Sequence, residues 1–125
     1  MDIHISYDSS KPMYEQIEEQ IIDKICNNQA HDNEPLPSVR QLSAILNVSA
    51  ITIKRAYADL EREGFIYTIA GKGTFVKLKN IDILKDKYVK EGLEGLETEI
   101  VRLKKAGASK EDIQEIVSRI YDGEL

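Results

Sequence analysis

The feature that most restricts how this chain can fold is a closely spaced set of helix start and stop signals near its middle. Ser38, followed by Gln41, has the capping-box pattern that begins a helix. Asn47 tolerates the left-handed backbone of a tight turn, and Ser49 is a second N-cap. Gly64 is the residue type that commonly ends a helix. Between these signals there is room only for two short helices joined by a tight turn.

The 3.6-residue period assigns one apolar face to each of these helices. The faces predicted to be buried are Val39, Leu42, Ile45 and Leu46 in the first helix and Ile53, Ala56, Tyr57 and Leu60 in the second. On the opposite face of the second helix, Ile51 lies beside Arg55. This pair fits a helix whose first turn enters the major groove of DNA, where an apolar side chain meets a thymine methyl and arginine reaches guanine. The alternative is that this face of the second helix is exposed to solvent and contacts no DNA.

A β-hairpin is predicted directly after the second helix. Residues 65–69 and 74–76 are β-prone, and the turn Ala70-Gly71-Lys72-Gly73 contains glycines that allow positive φ. A hairpin in this place is the wing of a winged helix-turn-helix, with Lys72 at its tip. A hairpin whose tip has no function is the alternative. The predicted fold class is mostly α with a small β-wing.

The residues before this unit are predicted to support it. Residues 2–7 alternate Ile3 and Ile5 with polar neighbours, which indicates a short edge strand. Residues 12–28 have the pattern of a helix, and residues 27–37 that of a polar, proline-containing loop. The apolar stripe of this helix is Met13, Ile17, Ile21 and Ile25, widened by Tyr14 and Ile22.

Three segments in unbroken order resemble the GntR family of bacterial transcription regulators, namely LPSVRQLSAILNVS, ITIKRAYADLEREGFI and AGKGTFV. The upstream segment KPMYEQIEEQI and the short C-terminal extension resemble the small YtrA-type branch, so the resemblance covers nearly the whole chain. It implies a winged-helix fold and a homodimer on a palindromic operator. We therefore expect a sequence-specific DNA-binding regulator that acts as a repressor.

The resemblance also implies which residues contact double-stranded DNA. The family's contact positions correspond here to Ser38 and Arg40, to Ser49, Ala50, Ile51, Thr52, Lys54 and Arg55 on the recognition helix, and to Gly71 in the wing with Lys72 beside it. The expected phosphate anchors are Ser38, Arg40, Lys54 and Lys72, and the expected base readers are Ile51, Thr52 and Arg55. Many relatives have a basic or polar residue where this chain has Ala50, which removes one candidate contact.

The C-terminal residues are predicted to form two amphipathic helices. Over residues 81–106 the apolar positions Val89, Leu93, Leu96, Ile100 and Leu103 recur as in a coiled-coil seam. Ser109 caps a second helix with the apolar face Ile113, Ile116, Val117 and Ile120. Two such helices cannot bury both faces on each other, so pairing with a second copy is predicted. Folding back onto the rest of the chain is the alternative. The predicted domains are residues 1–79, which bind DNA, and residues 80–125, which dimerise.

Charge is concentrated where DNA binding is predicted, although the whole chain has a net charge of −5. Residues 38–79 contain seven cations and three anions, a balance of +4, whereas residues 81–125 contain eight cations and eleven anions, a balance of −3. Positive charge thus collects at the predicted reading surface. The single cysteine, Cys26, fits a reducing cytoplasm, and no apolar run reaches the ~20 residues of a membrane span.

Catalysis and metal binding are not predicted. The sequence has no Ser/His/Asp or Cys/His set, no pair of buried carboxylates and no P-loop. The histidines His4 and His31 lack zinc-site spacing. No cofactor is expected, and no effector pocket is expected within residues 81–125 alone. The alternative function is a protein-interaction module that uses the winged helix for assembly without DNA, against which the cations Arg40, Arg55 and Lys72 argue.

Overall fold

The computed structural model describes residues 2–123, which fold into five helices and a two-stranded antiparallel sheet. In chain order the elements are α1 (Met13–Cys26), α2 (Val39–Leu46), α3 (Ala50–Glu63), β1 (Ile66–Ile69), β2 (Gly73–Val76), α4 (Ile81–Lys105) and α5 (Lys110–Tyr121). The mostly α architecture with a small β-hairpin is as predicted. The chain divides into two compact units, Met1–Lys85 and Asp86–Leu125.

The core of the first unit lies where α1 packs against α3. Ile17 and Ile21 of α1 and Ile53 and Leu60 of α3 are 0% exposed. Each fully buried side chain of this size stabilises the fold by about 1.5–3 kcal/mol. Val76 of β2 is also 0% exposed and closes this core from the hairpin. The apolar periods predicted for α1 and α3 are confirmed, and α1 supports α3 along its length.

Residues 2–7 do not form the predicted edge strand. Two glutamine side chains of α1 make the hydrogen bonds that a neighbouring strand would supply. Gln20 accepts from the His4 amide at 2.9 Å and donates to the His4 carbonyl at 2.6 Å. Gln16 accepts from the Ser6 amide at 2.8 Å and donates to the Ser6 carbonyl at 3.1 Å. The strand prediction was wrong because a primary amide offers the same donor and acceptor as a peptide group.

The loop before α2 lies along the free edge of β2, while β1 pairs with the other edge. The Leu36 amide donates to the Thr74 carbonyl at 2.9 Å. The Asn33 amide donates to the Val76 carbonyl at 2.8 Å, and the Val76 amide donates to the Glu34 carbonyl at 2.9 Å. The predicted polar loop therefore also covers a sheet edge that would otherwise be open to pairing with other chains.

Helix α2 begins and ends as predicted, but one residue of its apolar face is exposed. Ser38 Oγ accepts from the Gln41 amide at 3.1 Å, and the Gln41 side chain accepts from the Ser38 amide at 2.9 Å. Asn47 ends the helix with φ +54°. Leu42 is 2% exposed, as predicted, whereas Ile45 is 70% exposed. The prediction for Ile45 was wrong because this short helix packs along one narrow side, chiefly against α3.

Helices α4 and α5 contain no buried residue. Helix α4 continues unbroken through Gly92 and Gly95, and Ser109 and Asp112 form a capping box at the start of α5. The predicted apolar positions are exposed or half-buried, with Val89, Leu93, Leu96, Ile116, Val117 and Ile120 exposed and Ile100, Leu103 and Ile113 half-buried. None of the described helices combines the length and the apolar composition that a membrane span requires.

Candidate nucleic-acid interface

The turn between α2 and α3 is held by buried and hydrogen-bonded residues. Val48 is 6% exposed, and its carbonyl accepts from the Ser43 hydroxyl. The Tyr57 hydroxyl donates to the Pro37 carbonyl at 2.7 Å, which links α3 to the residues that precede α2. Burial raises the pKa of Tyr57 to about 12, so this phenol keeps its donor hydrogen near neutral pH. These contacts fix the position of α3 relative to α2.

The first turn of α3 presents its side chains to solvent. Ser49 Oγ accepts from the Thr52 amide at 3.3 Å, and the two hydroxyl oxygens lie 2.9 Å apart. Ser49 is thus the predicted N-cap, and its hydroxyl is engaged within the helix. Ile51 is 79% exposed, and Ala50 beside it is also exposed. An apolar side chain this exposed at a helix N-terminus can meet a thymine methyl in the major groove.

The predicted DNA-contacting residues all lie in the first unit. Thr52 is half-buried. The others are exposed, namely Ser38, Arg40, Ser49, Ala50, Ile51, Lys54, Arg55, Gly71 and Lys72. Arg40 of α2 and Lys54 of α3 line one groove of about 570 Å³ together with Ala50. Two cations beside one groove are suited to a backbone phosphate. The methyl group of Ala50 adds no polar contact there.

Arg55 has a partner that the sequence did not reveal. Its guanidinium carbon lies 3.7 Å from the centroid of the Tyr14 ring, in cation–π geometry. From the sequence alone, Tyr14 belongs only to the apolar stripe of α1. The periodic pattern of each helix is local, so neither pattern reports a contact between side chains of two different helices.

Two carboxyl groups meet between α1 and α3, although the sequence predicted no such pair. Burial, the hydrogen bond to Asp59 and nearby carboxylates raise the pKa of Glu18 to about 8. The Glu18 hydrogen bond, and then Arg62 and Arg55, lower the pKa of Asp59. At neutral pH Glu18 is therefore protonated, and its carboxyl group donates a hydrogen bond to the Asp59 carboxylate. Asp59 also pairs with Arg62 at 3.0 Å. Within residues 2–123, no group of three or more His, Cys, Asp or Glu side chains could hold a metal ion.

The wing has a fixed orientation relative to α3. Gly71 has φ +77°, a conformation that favours glycine. The Lys72 amide donates to the Ile69 carbonyl at 3.0 Å, which closes the turn and leaves the lysine side chain exposed. The Thr68 amide donates to the Glu61 carboxylate at 3.0 Å. This last bond ties the hairpin to the C-terminal turns of α3.

The sequence matches a known family over the helix-turn-helix and known proteins over nearly its whole length. Residues 13–76 match the family described as bacterial regulatory proteins, gntR family. Over 119 residues the chain is 36% identical to YhcF of Bacillus subtilis, an uncharacterized HTH-type transcriptional regulator, covering 94% of this chain and 96% of YhcF. Over 121 residues it is 35% identical to the HTH-type transcriptional repressor YtrA of the same organism, covering 94% of this chain and 91% of YtrA.

Solved structures share the fold. A transcriptional antiterminator from Listeria monocytogenes EGD-e has a TM-score of 0.78 and 27% identity, covering 97% of this chain and 90% of that one. The DNA-binding domain of AraR, in complex with operator ORE1, has a TM-score of 0.51 and 29% identity, covering 61% of this chain and 93% of that domain. The winged helix-turn-helix fold predicted from the sequence is confirmed by these likenesses.

Proposed function

This chain belongs to the GntR family of bacterial regulatory proteins, in its YtrA-type branch, and we propose that it acts as a homodimeric repressor on a palindromic operator. Its family and relatives are transcriptional regulators, so it is a DNA-binding regulator and not an enzyme. Repression is proposed because YtrA, which matches along most of its length, is named a repressor.

The observation that carries the proposal is the exposed first turn of α3, which is flanked by cations. Ile51 is 79% exposed at this turn, and Arg40 and Lys54 line the adjoining groove. We assign base contacts to Ile51, Thr52 and Arg55, and phosphate contacts to Ser38, Arg40, Lys54 and Lys72. The remaining proposed contacts, Ser49, Ala50 and Gly71, bring backbone close to DNA at a helix start and at the wing tip.

Pairing of two copies through the second unit is supported by its exposed apolar side chains. Leu93 and Leu96 of α4 are 59% and 50% exposed, and Ile120 of α5 is 53% exposed. An identical surface on a second copy would cover these side chains in a closed two-fold contact. The proposed interface is Val89, Leu93, Leu96, Ile100, Leu103, Ile113, Ile116, Val117 and Ile120. Two recognition helices about one DNA turn (~34 Å) apart would then meet the half-sites of a palindrome.

A protein-interaction module without DNA binding is the second candidate function. The net charge of −5 favours this function, because a negatively charged protein repels nucleic acid. The cationic part of the first unit is the exception. The two functions differ in their response to salt. Phosphate contacts release counterions, so DNA affinity falls steeply as salt rises, whereas an apolar protein contact does not weaken in this way.

A gel-shift titration tests the proposal. The probes are a duplex from the region upstream of the gene that encodes this chain and a scrambled duplex of the same length. We expect preferential binding of the upstream duplex, weakening by several powers of ten between ~50 and ~200 mM salt if about six to ten phosphates are contacted. Absence of a shift, or a shift that salt does not change, would favour the interaction module.

The assignment of Arg55 to base contacts has its own test. Arg55→Ala should weaken binding to the upstream duplex by about 1–3 kcal/mol and binding to the scrambled duplex much less. Lys79→Ala is the matched control, because it removes one positive charge from an exposed residue of the first unit that is not among the proposed DNA contacts. Equal losses on both duplexes for Arg55→Ala would contradict base reading by this residue.

A further inference from the structure

The Arg55 guanidinium lies against an aromatic ring of another helix. Its Cζ atom is 3.7 Å from the centroid of the Tyr14 ring, in the first turn of α1. Within residues 2–123, no carboxylate lies within ion-pair distance of Arg55. The arginine side chain is exposed, whereas Tyr14 is half-buried and packs against the core. The Tyr14 ring is therefore held by the core, and contact with this ring orders the Arg55 side chain.

We propose that Tyr14 is a positioning residue for DNA recognition, which holds the Arg55 guanidinium in place before DNA arrives. This inference rests on the proposed function. The N–H donors of a guanidinium lie in its own plane, and a ring over its face leaves them available. An arginine that is already ordered loses less conformational freedom when it binds, so the affinity of its contact is greater.

The surroundings of Tyr14 make it a rigid platform. Gln16, two residues on, donates to the Ser6 carbonyl at 3.1 Å and to the Lys11 carbonyl at 3.0 Å. These bonds attach the start of α1 to the N-terminal segment. Ile17, on the same helix, is 0% exposed in the core. The first turn of α1 is thus fixed against the body that also carries α3.

The acidic neighbour of Arg55 is already occupied by other groups. Asp59, one turn further along α3, pairs with Arg62 at 3.0 Å and accepts the hydrogen bond of Glu18. Asp59 therefore attracts Arg55 electrostatically but forms no ion pair with it, so the N–H donors of Arg55 are not engaged by Asp59. The ring of Tyr14 supplies the positioning, and the N–H groups of Arg55 remain for DNA.

The experiment is a double-mutant cycle on binding to the upstream duplex and to its scrambled control. Tyr14→Leu removes the ring but keeps an apolar side chain, Tyr14→Phe keeps the ring, and Arg55→Gln removes the cation. Affinities are measured by fluorescence anisotropy for the wild type, each single variant and Tyr14→Leu/Arg55→Gln. Thermal unfolding followed by circular dichroism establishes that each variant is folded.

We expect Tyr14→Leu to weaken binding to the upstream duplex by about two- to fivefold, the range of an exposed cation–π contact. Tyr14→Phe should bind like the wild type. In the Arg55→Gln background, Tyr14→Leu should cause no further loss. Losses that simply add, or a Tyr14→Phe variant as weak as Tyr14→Leu, would overturn the positioning role. A wild type with no preference for the upstream duplex would overturn the proposed function as well.

A second measurement needs no DNA. In the free protein, the Arg55 Nε–Hε proton near the ring should have an upfield-shifted NMR resonance, assigned by its absence in Arg55→Gln. Tyr14→Phe should keep this shift, and Tyr14→Leu should lose it if it folds. A wild-type resonance at the position of a solvated arginine would refute the stacking on which the inference depends.

Discussion

Replacing Glu18 by glutamine should remove a pH dependence from the stability of the winged-helix unit. Glu18 shares its proton with Asp59 between α1 and α3, and its pKa is raised from an ordinary 4.5 to about 8. Between these values the folded chain holds one proton that the unfolded chain releases. The free energy of unfolding therefore falls as pH rises from about 4.5 to about 8, and it levels off above that range. Glutamine still donates a hydrogen to Asp59 but cannot ionise.

The charges that face Glu18 determine the size of this effect. Its own helix contributes Glu15, and α3 contributes Asp59 and Glu63, which oppose ionisation. Arg62 and Arg55 act on the Asp59 carboxylate. The full shift would correspond to an upper limit of about 5 kcal/mol, since one pKa unit is about 1.4 kcal/mol. Because Glu18 is only half-buried, solvent screening reduces the change expected between pH 5.5 and pH 9 to about 2–3 kcal/mol.

The assay is urea unfolding of the wild type and Glu18→Gln between about pH 5.5 and pH 9, at one protein concentration because pairing of copies adds to stability. Relative to the wild type, the variant should gain about 2–3 kcal/mol of stability between pH 5.5 and pH 9. Glu19→Gln is the control, because it removes an exposed carboxylate of the same helix that pairs with Lys11 at 2.9 Å. A difference between wild type and Glu18→Gln that is constant across this range would refute the shared-proton reasoning.

Three further predictions concern pairing, the wing and a helix cap. Leu96→Glu should shift dimers toward monomers by roughly 100-fold, because each copy loses a leucine that the proposed dimer would bury. Thr98→Glu, on the opposite face of α4, should not shift them. Sedimentation at several concentrations measures both variants, and equal behaviour would contradict the interface. Lys72→Ala should weaken binding to all duplexes evenly and lower the salt slope by about one, and a selective loss on the upstream duplex would contradict a phosphate role. Ser38→Ala should cost about 1 kcal/mol in urea unfolding, because the Gln41 amide loses its cap; an unchanged midpoint would contradict this.

Local signals in the sequence predicted the helix boundaries correctly. The capping box of Ser38 and Gln41, the left-handed turn at Asn47 and the end of α3 at Gly64 are all present in the structure. Each of these features depends on atoms within about one helical turn, so the residues that form it are neighbours in the sequence. The apolar periods of α1 and α3 were equally readable, because a buried face repeats with the pitch of its own helix.

Contacts between distant elements account for the predictions that failed. The sequence of residues 2–7 alternates like a strand, but Gln16 and Gln20 of α1 supply its hydrogen bonds instead. Ile45 belongs to an apolar stripe by its spacing, and it is 70% exposed because its helix is covered on a narrow side. Neither result can be obtained from spacing, since both depend on which surface another part of the chain brings near.

The sequence by itself determined the winged helix-turn-helix, the cationic character of that segment and the apolar stripes of α4 and α5. These properties follow from residue type and from periods of a few residues. Only the tertiary structure decided that Arg55 lies on Tyr14 and that the carboxyl groups of Glu18 and Asp59 meet. In both pairs one side chain comes from α1 and the other from α3, so the contact exists only after the two helices have packed. The environment of the proposed reading residue was thus set by packing, whereas the helix that carries it was set by sequence.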